Sequence, residues 1–322
     1  MMNFTKIFDA FPTPKFLDIP FAGISISDSA VRCIEFGRKN QSLYIEKYAE
    51  RAINPGVIIS GQINHAEDII AVLNDIKKSL NLKYVKISLP EEKAYLFTTK
   101  IPIVKPNEVK NVIESKIEDN VPVSPSELTF DFNVLSHHRD HLDVVVSALP
   151  TVVIDTYIDM VDKAKLSLLS LEIESQSIAR AILPYSTTGT ALLVNFEKEK
   201  VGLYVASDKI VRFTSTVSLK SASGDNAEYL VQEIKKLYAY WHTLKENIDK
   251  ESKKINKIII CGENIGGEII SYFSAHTDTP VVYGNIWVNA FDINVFVPDI
   301  SFSDSLRYAA AVGLALPNGV LI

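Results

Sequence analysis

The strongest constraint on the fold is an order of segments that occurs twice along the chain. In each half, three strand-like segments precede an amphipathic helix, and a buried strand follows that helix. The helix and the buried strand fall at residues 65–80 and 84–90 in the first half, and at residues 226–244 and 256–262 in the second. Such a duplication predicts two similar α/β lobes that face one another across a cleft.

A smaller unit separates the two repeats. Residues 105–166 contain a helical pattern, two segments of alternating apolar and polar residues, and a second helical pattern, which together predict an inserted α+β module. We therefore divide the chain into a first lobe (1–104), the inserted module (105–166), a segment that returns to the first lobe and includes a connecting helix (167–189), and a second lobe (190–322).

Charge, cysteine content and hydropathy narrow the possible compartments and partners. The 322 residues include 39 acidic and 33 basic side chains, for a formal net charge of −6. Because phosphate backbones favour a concentrated positive face, we expect no nucleic-acid partner. The two cysteines lie in apolar segments, which suits a reducing compartment and predicts no disulfide framework. No stretch approaches the roughly 18 apolar residues of a membrane span, so we expect a cytoplasmic protein.

The N-terminal segment carries apolar residues at a roughly helical spacing, namely Phe4, Ile7, Phe8 and Phe11. This spacing suits a contact with a membrane or a partner. A simple lead into the first strand explains the same residues, and we favour that interpretation.

Five stretches, taken in order, carry a resemblance to a known family. They are GISISDSAVRCIEF (23–36), NPGVIISGQINHAEDIIAVLNDI (54–76), KIPIVKPNEVKNVIESKIEDNVPVSPSELTFDFNVL (100–135), LEIESQSIARAIL (171–183) and SLRYAAAVGLAL (305–316). In this order they resemble the actin-like ATPases, and more closely the PilM family of type IV pilus assembly proteins, which is related to FtsA. The resemblance implies an actin-like (ribonuclease H-like) two-lobed α/β fold with a small α+β module inserted in the first lobe.

The resemblance also implies a nucleotide cleft in which two hairpins clamp phosphates and Mg²⁺. In the first hairpin, the Asp of the family falls on Ser25 and its Gly falls on Ser27, followed by Asp28 and Ser29. Ser25 lacks the carboxylate that orients the waters around Mg²⁺. Ser27 carries a side chain where the backbone must approach a phosphate closely, and Asp28 adds negative charge if it points into the cleft.

The second hairpin and the adenosine turn depart from the family pattern as well. Asn195 stands where the family has Asp, and Glu197 stands where it has Gly. We interpret the run EKEK (197–200) as a solvated hairpin tip. Gly262, Gly266 and Gly267 keep glycines after a strand and at a helix start, as backbone geometry alone requires. We therefore expect weak or no ATP binding, no hydrolysis and no resident cofactor; an ATPase that binds ATP and Mg²⁺ is the alternative.

As a function, the resemblance implies a scaffold in the inner-membrane alignment machinery of the type IV pilus. Proteins of this family bind the short cytoplasmic N-terminal tail of PilN, a membrane protein, in a groove between the first lobe and the inserted module. Residues 95–103 and 105–121 are candidate walls of that groove. We therefore expect a PilN-like N-terminal peptide and other pilus assembly proteins as partners. The protein would sit at the inner face of the cytoplasmic membrane, attached through its partner.

Three other interpretations have weaker support. A sugar-kinase-like enzyme needs a catalytic Asp in the cleft, and no candidate emerges. A type II secretion protein would normally continue into a membrane span. The histidines His137, His138 and His141, with Asp140, form the one histidine cluster in the sequence. We interpret it as a polar turn without a metal, because His pairs at i and i+4 converge on a helix and not across a hairpin tip.

Overall fold

The computed structural model describes most of the chain, comprising residues 19–39, 42–105, 107–219, 226–244, 247–248, 250–294 and 296–317. The N-terminal aromatic residues lie outside this part of the chain. So do Pro106, near the start of the first helical pattern of the inserted module, and Ser223, shortly before the helix predicted from residue 226.

The elements follow closely the predicted order. The first lobe contains β1 (Ala22–Ile26), β2 (Ala30–Lys39), β3 (Ser42–Ala52), β4 (Ile58–Ile59), β5 (Gln62–Ile63), α1 (Ala66–Leu80) and β6 (Tyr84–Leu89). Next come β7 (Tyr95–Pro102), α2 (Val109–Asn120), β8 (Leu128–His137), β9 (His141–Pro150), α3 (Thr151–Lys163), β10 (Ser167–Ile173) and α4 (Glu174–Ile182). The second lobe contains β11 (Thr190–Phe196), β12 (Lys200–Ser207), β13 (Ile210–Ser218), α5 (Asn226–Thr243), β14 (Ile255–Gly262), α6 (Gly267–His276), β15 (Val281–Tyr283), α7 (Phe302–Ser305) and α8 (Ala309–Ala315).

The two lobes have the same sheet topology, which confirms the predicted duplication. The strand orders are β3-β2-β1-β6-β10 and β13-β12-β11-β14-β15. In both sheets the first three strands are antiparallel, and the last two run parallel to the central one. The central strands β1 and β11 are buried along their whole length, as expected of sheets that are covered on both faces.

The helices that cover these sheets bury the faces that the periodicity predicts. Helix α1 buries Ile69, Leu73 and Ile76 in the core of the first lobe. Helix α5 buries Leu230, Ile234, Leu237 and Trp241 in the core of the second lobe. A third core, formed by α4, α8 and the inner sheet faces, joins the two lobes. No described helix is long and apolar enough to span a bilayer.

The inserted module differs from the sequence prediction in two respects. Its sheet has the order β7-β9-β8, so it includes a strand that precedes the predicted boundary at residue 105. The predicted second helix, α3, contributes Tyr157, Met160 and Val161 to the core of the first lobe. Helix α2 covers the module sheet with Ile113 and Ile117. Of the residues that helical spacing places on the apolar face of α3, Val161 is buried and Ile154 is partly buried, but Ile158 is 38% exposed. The spacing also does not specify which sheet this helix covers.

Candidate functional site in the cleft between the lobes

Ser27 forms its hydrogen bonds inside the turn between β1 and β2. Ser25 and Ser27 are buried. The Ser27 N–H donates to the Ala30 carbonyl oxygen at 3.0 Å, and the Ser27 hydroxyl donates to the same oxygen at 3.1 Å. The Ser27 hydroxyl oxygen also accepts the Ala30 N–H at 3.2 Å. The resemblance places the backbone N–H of Ser27 opposite a phosphate. In the structure this N–H group already has a hydrogen-bond partner inside the turn.

Asp28 lies between a loop of its own lobe and a cation of the other lobe. Its carboxylate accepts the backbone N–H groups of Ser60 at 2.9 Å and Gly61 at 3.3 Å. Its Oδ1 atom lies 3.6 Å from the Lys200 ammonium nitrogen. The negative charge of Asp28 is therefore compensated from within the protein.

Lys200 is the centre of an ion-pair cluster that bridges the cleft. Its ammonium donates to Glu92 of the first lobe and lies 3.3 Å from Glu197 Oε2 of the second lobe. Burial alone would lower the pKa of Lys200, but Glu197, Glu92 and further carboxylates raise it well above the usual value. Lys200 is therefore a permanent cation in this cleft.

The expectation of a solvated EKEK tip is wrong for two of its four residues. The side chains of Glu197 and Lys200 are only 8% and 12% exposed, whereas Lys198 and Glu199 are exposed. The physical reason is that Lys200 faces Asp28 and Glu92 of the first lobe and Glu197 pairs with Lys200, while the tip between them faces solvent. The alternating charges of the EKEK run therefore do not predict which of its side chains are buried.

Carboxylates outnumber the cations around Lys200, and burial raises the pKa values of three of the buried ones, Glu91, Glu174 and Glu197. Burial raises the pKa of Glu91 to about 7, although the Ser175 N–H donates to its Oε2 atom at 3.0 Å. Burial also raises the pKa of Glu197 to about 7, and it raises that of Glu174 well above the usual value. A further anionic group entering here would meet strong repulsion unless it displaced one of these carboxylates.

A second ion-pair bridge crosses the cleft beside the first hairpin. The Arg32 guanidinium of β2 lies 2.6 Å from Glu263 Oε1, just after β14, and 2.8 Å from Glu50 Oε1. The Ser29 hydroxyl donates to the same Glu263 oxygen at 2.8 Å. Ser29, which the resemblance assigned to a nucleotide hairpin, therefore connects the two lobes directly.

The remaining predicted positions separate into two groups. Asn195 is buried and accepts a weak hydrogen bond from the Cys261 thiol at 3.7 Å. Gly262 has a φ of +109°, and a Cβ atom there would lie 2.1 Å from the Phe196 carbonyl oxygen. By contrast, a Cβ at Gly266 or Gly267 would meet nothing within 4 Å. The backbone argument from sequence therefore holds for Gly262 alone.

The cleft is nearly closed where the resemblance would place the phosphates. A cavity of about 10 Å³ remains there, which is room for about one water. Its lining includes Ser25, Ser27, Arg32, Asn195, Glu197, Gly262 and Glu263. A larger cavity of about 390 Å³ lies nearby, between α5 and the start of α6, and its lining includes Phe196, Leu230, Glu263, Asn264, Glu268 and Tyr272.

Sequence reasoning missed the residues that close the cleft, above all Arg32, Lys200 and Glu263. Arg32 had a usable signal, since it is a charged residue inside the apolar strand AVRCIEF and must therefore have a buried partner. Lys200 and Glu263 had none, because the partners that each contacts across the cleft lie far away in sequence.

Two duplicated lobes with this sheet order, facing one another across a nearly closed cleft, define an actin-like fold. A family model described as "Type IV pilus assembly protein PilM" matches residues 23–208, more than half of the chain. The chain belongs to this family.

Solved structures show the same fold. A structure described as a "PilM-PilN type IV pilus biogenesis complex" has a TM-score of 0.75 at 15% sequence identity, covering 92% of this chain and 98% of that one. The ethanolamine utilization protein EutJ from Carboxydothermus hydrogenoformans has a TM-score of 0.51 at 11% identity, covering 95% of this chain and 91% of that one. A comparison with curated protein sequences finds no match.

The contrast between two cleft glycines gives a matched stability test. Gly262→Ala should lower the free energy of unfolding by about 2 to 4 kcal/mol, because it forces a strained φ and a clash with Phe196. Gly267→Ala, at the first residue of α6, should leave stability unchanged or raise it by up to about 1 kcal/mol. Urea unfolding followed by circular dichroism measures both values. Equal losses in the two variants would contradict the close approach at Gly262.

The raised pKa of Glu91 predicts a particular pH dependence of stability. The pKa of Glu91 is about 7 in the folded protein, and the ordinary pKa of a glutamate is 4.5. Between these two pH values the folded protein binds a proton that the unfolded chain has released. The free energy of unfolding is therefore highest, as far as Glu91 contributes, below about pH 4.5, and it falls as the pH rises to about 7. The full difference corresponds to about 3 kcal/mol. Glu91→Gln keeps a neutral side chain at every pH, so its stability relative to wild type should rise between pH 5 and 8.5.

Urea unfolding at several pH values across that window measures the effect. Glu118→Gln, on an exposed position of α2, serves as the control and should follow the wild-type curve. Parallel curves for wild type and Glu91→Gln would show that Glu91 does not titrate differently on folding.

Proposed function

We propose that this protein is a scaffold of the type IV pilus assembly machinery that binds the N-terminal tail of a PilN-like membrane protein. In this proposal ATP binding is weak or lost, ATP is not hydrolysed, and the protein is held at the inner face of the cytoplasmic membrane through its partner. The observation that carries the proposal is the closure of the phosphate region by Lys200 and Arg32 in a member of the PilM family.

Charge is the main argument against a nucleotide here. A triphosphate would have to enter a region that already holds Asp28, Glu92 and Glu197 around one ammonium. Two like charges 4 Å apart cost about 1 kcal/mol in water and about 4 kcal/mol at an effective dielectric constant of 20. Entry would also require the Arg32–Glu263 bridge to open, which leaves buried charges without partners.

One observation favours the alternative, an ATP-binding protein whose nucleotide state regulates pilus assembly. The cavity of about 390 Å³ beside α6 is open, and Gly266 and Gly267 near it have no steric role in the fold. Lys200 would then exchange its carboxylate partners for phosphate oxygens as the lobes separate. The two proposals therefore differ in whether Mg-ATP competes successfully with the internal ion pairs.

For the partner, the boundary between the first lobe and α3 offers a suitable groove. A small cavity of about 50 Å³ lies between β5 and α3, lined in part by Ile63, Val152 and Tyr157. Val152 is 70% exposed, and Ile59 on β4, the register partner of Gln62 in this lining, is also exposed. Exposed apolar side chains around a narrow cleft suit the alternate side chains of an extended peptide. The walls predicted from sequence, residues 95–103 and 105–121, correspond to β7, an edge strand of the module sheet, and to α2.

Calorimetry tests whether the protein binds Mg-ATP. The titration is carried out on the wild type and on the triple variant Ser25→Asp, Ser27→Gly, Glu197→Gly. We expect no saturable binding by the wild type at Mg-ATP concentrations up to about 1 mM. A dissociation constant of about 1 mM corresponds to a binding free energy of only about −4 kcal/mol. If the triple variant binds Mg-ATP and the wild type does not, the residues at these three positions account for the lost ATP binding. Low-micromolar binding by the wild type, or measurable hydrolysis, would favour the regulated ATPase.

The partner is tested with a synthetic, fluorescently labelled peptide that copies the N-terminal tail of the PilN-like protein from the same genome. Val152→Asp should weaken binding at least about tenfold in fluorescence anisotropy, because it places a charge among apolar peptide contacts. Val297→Asp, at a position 79% exposed in the second lobe, is the matched control and should bind like the wild type. Affinity should not change when Mg-ATP is added. If Val152→Asp and Val297→Asp bind equally well, the peptide lies elsewhere.

A further inference from the structure

The hairpin between β8 and β9 brings two histidines into direct contact at its tip. The His138 N–H donates to the His141 carbonyl oxygen at 2.9 Å, which closes the turn through Arg139 and Asp140. The two imidazole rings stack with their centroids 4.4 Å apart and an angle of 13° between their planes. The expectation that a hairpin tip keeps these side chains apart is therefore wrong, because residues directly opposite in an antiparallel pair are close neighbours.

The strand register adds a carboxylate to the same face. Asp143 lies two residues after His141 on β9, so both side chains project from one side of the sheet. Across the hairpin, Ser136 is the register partner of Asp143, and His138 lies two residues beyond Ser136. His137, the register partner of Leu142, belongs to the opposite face. Alternation thus separates His137 from the other two histidines.

We propose that His138, His141 and Asp143 form a binding site for a divalent transition-metal ion of the zinc class. The donor atoms of the three side chains all lie within 4.8 Å of one another. His138 Nε2 lies 2.9 Å from Asp143 Oδ2, and His141 Nε2 lies 3.5 Å from Asp143 Oδ1. Tetrahedral zinc with bonds of about 2.0 to 2.2 Å holds its ligand atoms about 3.3 to 3.6 Å apart, so small side-chain shifts complete the site.

Neighbouring side chains orient these ligands as metal sites require. His141 Nδ1 donates to Asp140 Oδ1 at 2.8 Å, which directs the lone pair of Nε2 toward Asp143. That Nε2 atom is shielded from solvent and has no hydrogen-bond partner among the described residues. The Ser136 hydroxyl donates to Asp143 Oδ2 at 2.7 Å and holds the carboxylate in place. A lone pair that faces a carboxylate is unfavourable, and a cation between them removes that repulsion.

The ligand set defines the class of ion and the character of the site. Two imidazoles and one carboxylate suit Zn²⁺, and also Co²⁺ or Ni²⁺, better than the all-oxygen preference of Ca²⁺ or Mg²⁺. The carboxylates of Asp140 and Asp143 balance the charge of a dication. Three protein ligands leave one tetrahedral position for water or for a donor atom from another molecule.

The test uses the untagged full chain, freed of metal with a chelator and titrated with ZnCl₂ by calorimetry. We expect one ion per chain, with binding lost in His141→Ala and in Asp143→Asn. Asp140→Asn should weaken binding by about tenfold, because it removes the partner of His141 Nδ1. His137→Ala, on the opposite face of the same hairpin, is the matched control and should bind like the wild type. Circular dichroism checks that each variant is folded.

Titration with Co²⁺ gives a second, spectroscopic readout. Cobalt at this site should produce visible ligand-field absorption that excess Zn²⁺ abolishes and that is absent from His141→Ala. The proposal is overturned if the wild type binds no zinc, or if His141→Ala and Asp143→Asn keep wild-type affinity. It is equally overturned if His137→Ala loses as much affinity as His141→Ala.

Discussion

A buried ammonium surrounded by carboxylates from both lobes governs the state of the cleft. Burying a charge costs several kcal/mol unless partners solvate it. The partners of Lys200 are Asp28 and Glu92 on one side of the cleft and Glu197 on the other. Separation of the lobes would leave charges of both signs without compensation, so the ion pairs favour the closed arrangement. The ion pair between Arg32 and Glu263, beside the first hairpin, also favours the closed arrangement of the lobes.

Packing beneath the cleft restricts the lobes independently of these charges. Helix α8 is the last helix of the second lobe, yet it packs on β1 and α4 of the first. Its small residues permit backbone contact, since a Cβ at Gly313 would lie 1.7 Å from the Ser177 carbonyl oxygen. Ala309 and Ala310 line the same small cavity as the cleft residues. The floor of the cleft is thus apolar and close-packed, while its walls are joined by ion pairs.

The sequence predicts the parts of this structure that depend on local pattern. Continuous apolar strands and helical stripes specify both lobes, down to the buried face of α1, because burial imposes a period on the sequence. Pairing between distant segments leaves no such period. The sequence therefore does not reveal that β7 joins the module sheet, that α3 packs on the first lobe, or that Lys200 meets Glu92. The two stacked histidines were missed for another reason, since helical spacing was the wrong template for a two-residue turn.

The ion pairs of the cleft also extend to the groove proposed for the partner. Asp28 contacts Lys200 with one side of its carboxylate and accepts the N–H groups of Ser60 and Gly61 between β4 and β5. That loop leads directly into the β5 wall of the groove, where Gly61 and Ile63 face α3. Because one carboxylate joins both features, the charges that close the cleft also hold the groove wall in position. Lys200 of the second lobe thus contacts the turn whose carboxylate also holds the loop between β4 and β5.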